Sequence, residues 1–197
     1  MSSTVSVEAV EMARVKMTEA HTAFSQAHYR TEDAESALKL VALHLSELVK
    51  RRRLAARSIE TLTRAAVEAL AENPKEKIAA PAILAAQHEE LILGLAIESF
   101  QRDKHSAVER EHLVAVLARF EAQLAFEISR LNHHIAQLQV LLGSAAELDG
   151  GLELSGDGVV SAQLKEIVSD LYAKVSRAKQ TLQEFDTRVA IARTQQG

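Results

Sequence analysis

From Met1 to Asn73 the chain contains neither glycine nor proline. Over the same stretch the apolar residues keep one heptad register. The seam reads Val10, Ala13, Met17, Ala20, Phe24, Ala27, then Ala34, Leu38, Val41, Leu45, Leu48, and finally Ala55, Ile59, Leu62, Ala66 and Ala69. Only Thr31 and Arg52 interrupt it. A 3,4-spaced apolar repeat of this length predicts a helix that needs a partner helix along its whole course. Between Ala13 and Ala34 small alanines alternate with Met17 and Phe24, a pattern for close helix packing.

Punctuation further on is sparse. Asn73-Pro74-Lys75-Glu76-Lys77 reads as a helix stop and turn, with Pro81 near the start of a second helix. That helix runs to about Leu142, with Gly94 as its only breaker. Five of the seven glycines then fall between Gly143 and Gly158, which predicts a loop over 143–160. Leu152-Glu153-Leu154 and Val159-Val160 flank Gly156-Asp157-Gly158 and leave room for a small β-hairpin there. A third helix follows over about 161–194, with the seam Leu164, Val168, Leu171, Val175, Ala178, Leu182, Phe185, Val189 and Ala192.

The expected fold is all-α. It is a single elongated domain over 1–197, a long antiparallel coiled-coil hairpin of helices at about 4–72 and 82–142, with a shorter third helix. Each hairpin helix would span roughly 90–100 Å. The alternative is a compact bundle of about five helices, broken at Thr31-Glu32-Asp33 and at Ser106-Ala107-Val108-Glu109, which has capping-box spacing. Asp103 and Arg110 on otherwise apolar seam positions favour the second break.

Composition narrows the function. Hydrophobic residues make up 47% of the chain and aromatics 4%, so a core exists but is thin and spread along helices. A deep ligand pocket is not expected. The absence of cysteine removes disulfides, zinc–thiolate sites and thiol nucleophiles. Nothing supplies a nucleophile elbow, an oxyanion hole or a phosphate-binding glycine loop, so no enzyme is expected. No secretory signal is read at the N-terminus. The apolar window Ile78–Ile97 is interrupted by Gln87, His88, Glu89 and Glu90, which argues against a membrane span. The expected location is cytoplasmic, with peripheral membrane contact as an option.

Two constellations remain. Lys50, Arg51, Arg52, Arg53 and Arg57 form a basic run, followed by Arg64. A hairpin turning near residue 77 would set residue 52 level with residue 102, so that Arg102 and Lys104 extend the run into a band across both helices. Such a band suits an anionic membrane surface or an acidic protein. The net charge of −4 and the few aromatics disfavour nucleic acid. In expected architecture, though in no motif, a dimerising hairpin with a basic band resembles the membrane-shaping crescent domains of the BAR type. It also resembles the bacterial phage-shock and vesicle-inducing scaffold proteins.

The eight histidines fall at repeated levels. The same mapping sets His133 and His134 level with His21, and His44 beside Glu109 and His112. Glu109-x-x-His112 has the spacing used by carboxylate-bridged di-iron bundles, and these three residues are the candidate ligands for iron or another divalent metal. The acidic residues between Asp149 and Asp157 lack EF-hand spacing.

The leading expectation is a non-enzymatic, self-associating scaffold or adaptor that requires no cofactor. Its self-association would run through Leu38, Val41, Leu45, Leu48, Ile59 and Leu62. A metal-binding bundle is the first alternative. A structural subunit of a secretion, phage or filament assembly is the second.

Overall fold

The computed structural model describes residues 7–75, 77, 80–147 and 157–194, and among these the fold is all-α, with no strand. Helix α1 spans Val7–Glu72, α2 Ala80–Ser99 and α3 Ser106–Glu147, and α4 spans Asp157–Thr194. A π-helical turn, Phe100–His105, joins α2 to α3 without a break. The helix therefore passes through Gly143, and Val159-Val160 are helical, so the loop expected over 143–160 is shorter at both ends. Leu152-Glu153-Leu154, the other arm of the expected hairpin, lies outside the described residues.

Contacts divide the chain into a three-helix unit, Met1–Ala34 with Arg110–Gly197, and a two-helix unit, Glu35–Glu109. Helix α1 contributes to both and is unbroken at Thr31, because nothing there opposes helix. The Thr31 hydroxyl lies 2.8 Å from the Ala27 carbonyl of its own helix and 3.1 Å from the Ala115 carbonyl of α3. A seam position that reads as polar is thus buried and satisfied.

In the three-helix unit α1 and α3 run antiparallel. Phe24 stacks on Phe126 at a centroid distance of 6.3 Å, and His21 meets the same ring edge-on at 5.1 Å. The expected level pairing of His21 with His133 and His134 is therefore corrected: His21 sits against Phe126. Helix α4 is antiparallel to α3, as the ion pairs Arg110–Asp186 at 2.7 Å and Lys179–Glu121 at 2.9 Å show. The α4 seam fills the core, with Leu171, Val175 and Phe185 buried and Leu171 only 2% exposed.

The π turn explains why polar residues fall on the seam near residue 103. In α2 the less exposed positions follow Ile83, Ala86, Glu90, Leu93, Ile97 and Phe100. Continuing that heptad gives 114, 125, 132 and 135. The positions that meet α1 or the core are instead Ala115, Phe126, His133 and Ala136, each one residue later. One extra residue has entered the helix, and a π turn is the form such an insertion takes. Ser106 makes the wider bond, its N–H reaching the Gln101 carbonyl five residues back. Its hydroxyl donates to the same carbonyl at 2.9 Å, so the expected helix start at Ser106 is not there. Backbone angles at Ser99 and Ser106 are both right-handed helical.

The end of α1 is closed locally. The Asn73 N–H donates to the Ala69 carbonyl at 2.9 Å, and the Asn73 side-chain oxygen accepts the Lys75 N–H at 3.2 Å. This is an Asx turn, the geometry for which asparagine is favoured at such positions.

Candidate interaction surfaces

Within the two-helix unit the register is set around Arg52. Its Nε donates to Glu90 Oε1 at 2.6 Å. Its guanidinium lies over Gly94, where an added Cβ would stand 3.3 Å from Arg52 Cζ. Glycine at this point leaves room for a cation that occupies a seam position, and a larger residue would make the guanidinium shift by a few tenths of an ångström. One residue earlier on both helices, Arg51 meets Glu89 at 3.5 Å. Towards the start of this part of α1, His44 stacks on Phe100 at 5.0 Å.

These contacts correct the expected basic band. Arg52 lies level with Glu90, not with Arg102. Helix α1 does stop at Asn73, but the contacts of Arg52 with Glu90 and Gly94 shift the register of the two helices by eight to twelve residues. Arg102 and Lys104 therefore do not extend the Lys50–Arg53 run. Arg102 stays beside Asp103 in the π turn, at 3.3 Å.

Ion pairing then sorts the cations of the run. Arg51 and Arg52 are held by α2 carboxylates. Lys50 has Glu47 at 3.9 Å, and Arg64 has Glu60 at 3.0 Å, both on the same helix. Among the described residues no carboxylate lies within ion-pair distance of Arg53, Arg57 or Lys104.

The expected self-association residues Leu38, Val41, Leu45, Leu48, Ile59 and Leu62 are half-buried. They share the seam of Arg52, the side of α1 that meets α2. The bare apolar side chains lie elsewhere. On the part of α1 in this unit they are Leu40, Leu43, Leu54 and Val67. On α2 they are Leu84, Leu91, Ile92 and Leu95, each 55–62% exposed. The α2 set recurs at helical spacing on the side opposite buried Leu93 and Ile97. Helix α2 is thus apolar on both sides, and a heptad reading detects only the side that faces α1. The signal in the sequence was the near-continuous apolar composition of Ala80–Ser99.

That composition has another consequence. The continuous helix Ala80–Val140 holds a window of mean hydropathy 1.2, long and apolar enough to cross a membrane by length and composition alone. Its packing in the two-helix unit argues otherwise. A span through α2 would draw Arg51 and Arg52, paired to Glu89 and Glu90, into the bilayer with it, together with Lys50 and Arg53.

The metal candidates are not gathered. Glu109 faces His105 at 3.5 Å, and His44 faces Phe100. Among the described residues no three histidine, aspartate or glutamate side chains come together in a way that could hold a metal ion. A different polar group, missed in the sequence, sits in the three-helix unit. Glu127, Arg130 and His133 line one side of α3, with Arg130 Nη2 2.9 Å from Glu127 Oε2. His133 is buried, and its Nδ1 has no hydrogen-bond partner among the described residues.

Compared with protein-family models, curated proteins and solved structures, the chain finds no match in any of the three.

Proposed function

We propose that the protein is a non-enzymatic, self-associating helical scaffold. The observation that carries this reading is the bare apolar stripe of α2: Leu84, Leu91, Ile92 and Leu95, opposite the side already packed on α1. Contiguous apolar surface of this kind marks an interface in a soluble chain.

The occupant that suits the stripe is a second copy of the same surface. From Ile78 to Gln101 there is no lysine or arginine, while Glu89, Glu90 and Glu98 are present. Such a helix has no lysine or arginine to attract an anionic surface, and two of its carboxylates, Glu89 and Glu90, are already taken up by Arg51 and Arg52. His88 and Glu98 interleave with Leu84, Leu91 and Leu95 on this line, and an antiparallel two-fold centred near Leu91 sets Glu98 of one copy near Leu84 of the other, away from its own copy; a two-fold interface of this type closes on itself. The scaffold works by geometry, through a surface displayed in more than one copy.

Size-exclusion chromatography with light scattering tests the reading. Wild type is expected at a multiple of the 21.5 kDa chain mass. Leu91→Glu with Leu95→Glu should return it to monomer mass with helix content unchanged. Wild type at monomer mass throughout the micromolar range would overturn the proposal.

A further inference from the structure

We propose that the outward side of α1 in the two-helix unit is a docking surface for an anionic lipid bilayer. Leu40, Leu43 and Leu54 enter the interface, while Lys50, Arg53 and Arg57 hold the headgroups. This surface lies on α1 and does not depend on the α2 stripe or on self-association.

The residues fall on one line. Positions 40, 43, 47, 50, 54, 57, 61 and 64 step by three and four, so they share one side of the helix. They are Leu40, Leu43, Glu47, Lys50, Leu54, Arg57, Thr61 and Arg64, and all are exposed. The line runs opposite the seam that meets α2. Leu40, Leu43 and Leu54 are 68%, 63% and 55% exposed. From Leu40 to Arg57 they span about 25 Å of helix. Arg53 flanks the line beside Leu54. Glu47 is its one carboxylate between Leu40 and Arg57, and it is set against Lys50.

Charge and apolarity together identify the occupant. Bare leucines interleaved with cations match the acyl and headgroup layers of a bilayer, which an interfacial helix meets simultaneously. Arg51 and Arg52 point to α2 instead and are paired there. Those left without a carboxylate, Arg53 and Arg57, are the ones on the outward side. A second copy of the chain fits this surface poorly, because a two-fold contact would bring Lys50, Arg53 and Arg57 of both copies into one interface with only Glu47 of each copy to offset them. A nucleic acid would engage the cations but leave three leucines in water. The side chains of Arg and Lys place their apolar stems along the interface and their charges among the phosphates.

The chain has no tryptophan, which provides a direct readout. The full-length protein and its Leu43→Trp variant are mixed at low salt with vesicles of phosphatidylcholine alone or with one part phosphatidylserine to two of phosphatidylcholine. Binding is expected only to the anionic vesicles, with a blue shift of the Trp emission and quenching by lipids brominated near the glycerol. Each cation near the surface contributes about fivefold in affinity. Arg53→Gln with Arg57→Gln should therefore weaken binding about twenty-fivefold, whereas Arg51→Gln should change it by less than about twofold. Leu40→Ser with Leu43→Ser and Leu54→Ser should leave only weak, salt-labile recruitment.

Failure of the wild type to bind anionic vesicles would overturn the proposal. So would binding without a Trp shift, or loss at Arg51 equal to that at Arg53 and Arg57. Tight binding to a duplex oligonucleotide with no vesicle binding would reassign the cations to nucleic acid. The Leu91→Glu, Leu95→Glu variant separates this proposal from self-association: a monomer that still binds anionic vesicles supports the α1 surface on its own.

Discussion

The three-helix and two-helix units use the same helix, α1, and treat it differently. In the three-helix unit, the half-buried seam of α1 meets α3, and α4 closes a core in which Leu171, Val175 and Phe185 are buried. In the two-helix unit the seam of α1 is half-buried as well, but it has only α2 to meet, and the buried apolar residues there are Ala55, Leu93 and Ile97, with no third helix to close over them. The difference is one of partners, not of pattern. A heptad tells a helix which side must be covered, and the number of neighbours decides how completely. The third helix gives the first unit its most deeply buried side chain, Leu171, while the second unit leaves outward leucines on both of its helices.

The largest effects should expose that division. Leu171→Ala removes the least exposed side chain of the three-helix core and should cost about 2–5 kcal/mol in chemical denaturation, as large-to-small changes in packed cores do. Leu84→Ala on the outer side of α2 should change the stability of the isolated chain by less than about 0.5 kcal/mol. Its effect should instead appear as a shift in the concentration at which the protein associates. Equal losses from the two substitutions would mean that the α2 stripe is packed within the chain and that the contrast between the units is false.

Much of this contrast was legible in the sequence, and the parts that were not have identifiable physics. The seam of α1 and that of α4 from Val168 to Val189 coincide with the less exposed positions, because heptad spacing and burial are the same constraint. Register was not legible. It depends on a cation at a seam position finding a glycine and a glutamate on another helix, and Arg52, Gly94 and Glu90 lie about forty residues apart in the chain. The π turn was half visible. Asp103 and Arg110 signalled a fault in the repeat, but a fault can be a new helix start or an inserted residue, and only the Ser106-to-Gln101 bond decides which. The outward leucines were hidden for a different reason. Leu40, Leu43 and Leu54 are off the seam, and a search for one periodic stripe does not see a second one beside charges.

An intermediate effect should come from the register device itself. Arg52→Leu with Glu90→Leu completes the apolar seam and removes a half-exposed ion pair. Such pairs contribute little, so the pair of substitutions should leave stability unchanged or raised by about 1 kcal/mol. The expected loss is in uniqueness, because one polar pair at a seam position is a means of fixing register. Ser58 and Leu84 are level across the two helices by the Arg52–Glu90 register, and the chain has no cysteine to interfere with labelling. Spin labels placed there through Ser58→Cys and Leu84→Cys should report one narrow distance in the native background. The distribution should broaden in the double-leucine background. A distribution that stays narrow would assign register to packing alone.

The smallest effect belongs to the three-helix unit and depends on pH. Arg110 reaches Asp186 with two bonds, of 2.7 and 3.2 Å, and this pairing holds the Asp186 carboxyl below its ordinary value. The sign follows from that direction. A carboxylate whose folded pKa is depressed adds stability above the unfolded pKa and loses it as pH falls through the lower, folded value. Asp186→Asn should therefore unfold slightly more easily than wild type at neutral pH, and the two should converge in acid. Both groups are exposed, so the gap should be small and should shrink with added salt. Glu11, depressed by Arg14 on the same helix, titrates in the same direction but links no second helix. A Glu11→Gln variant is the control: if it shifts acid unfolding as much as Asp186→Asn, the link between α3 and α4 is not what the pH dependence reads.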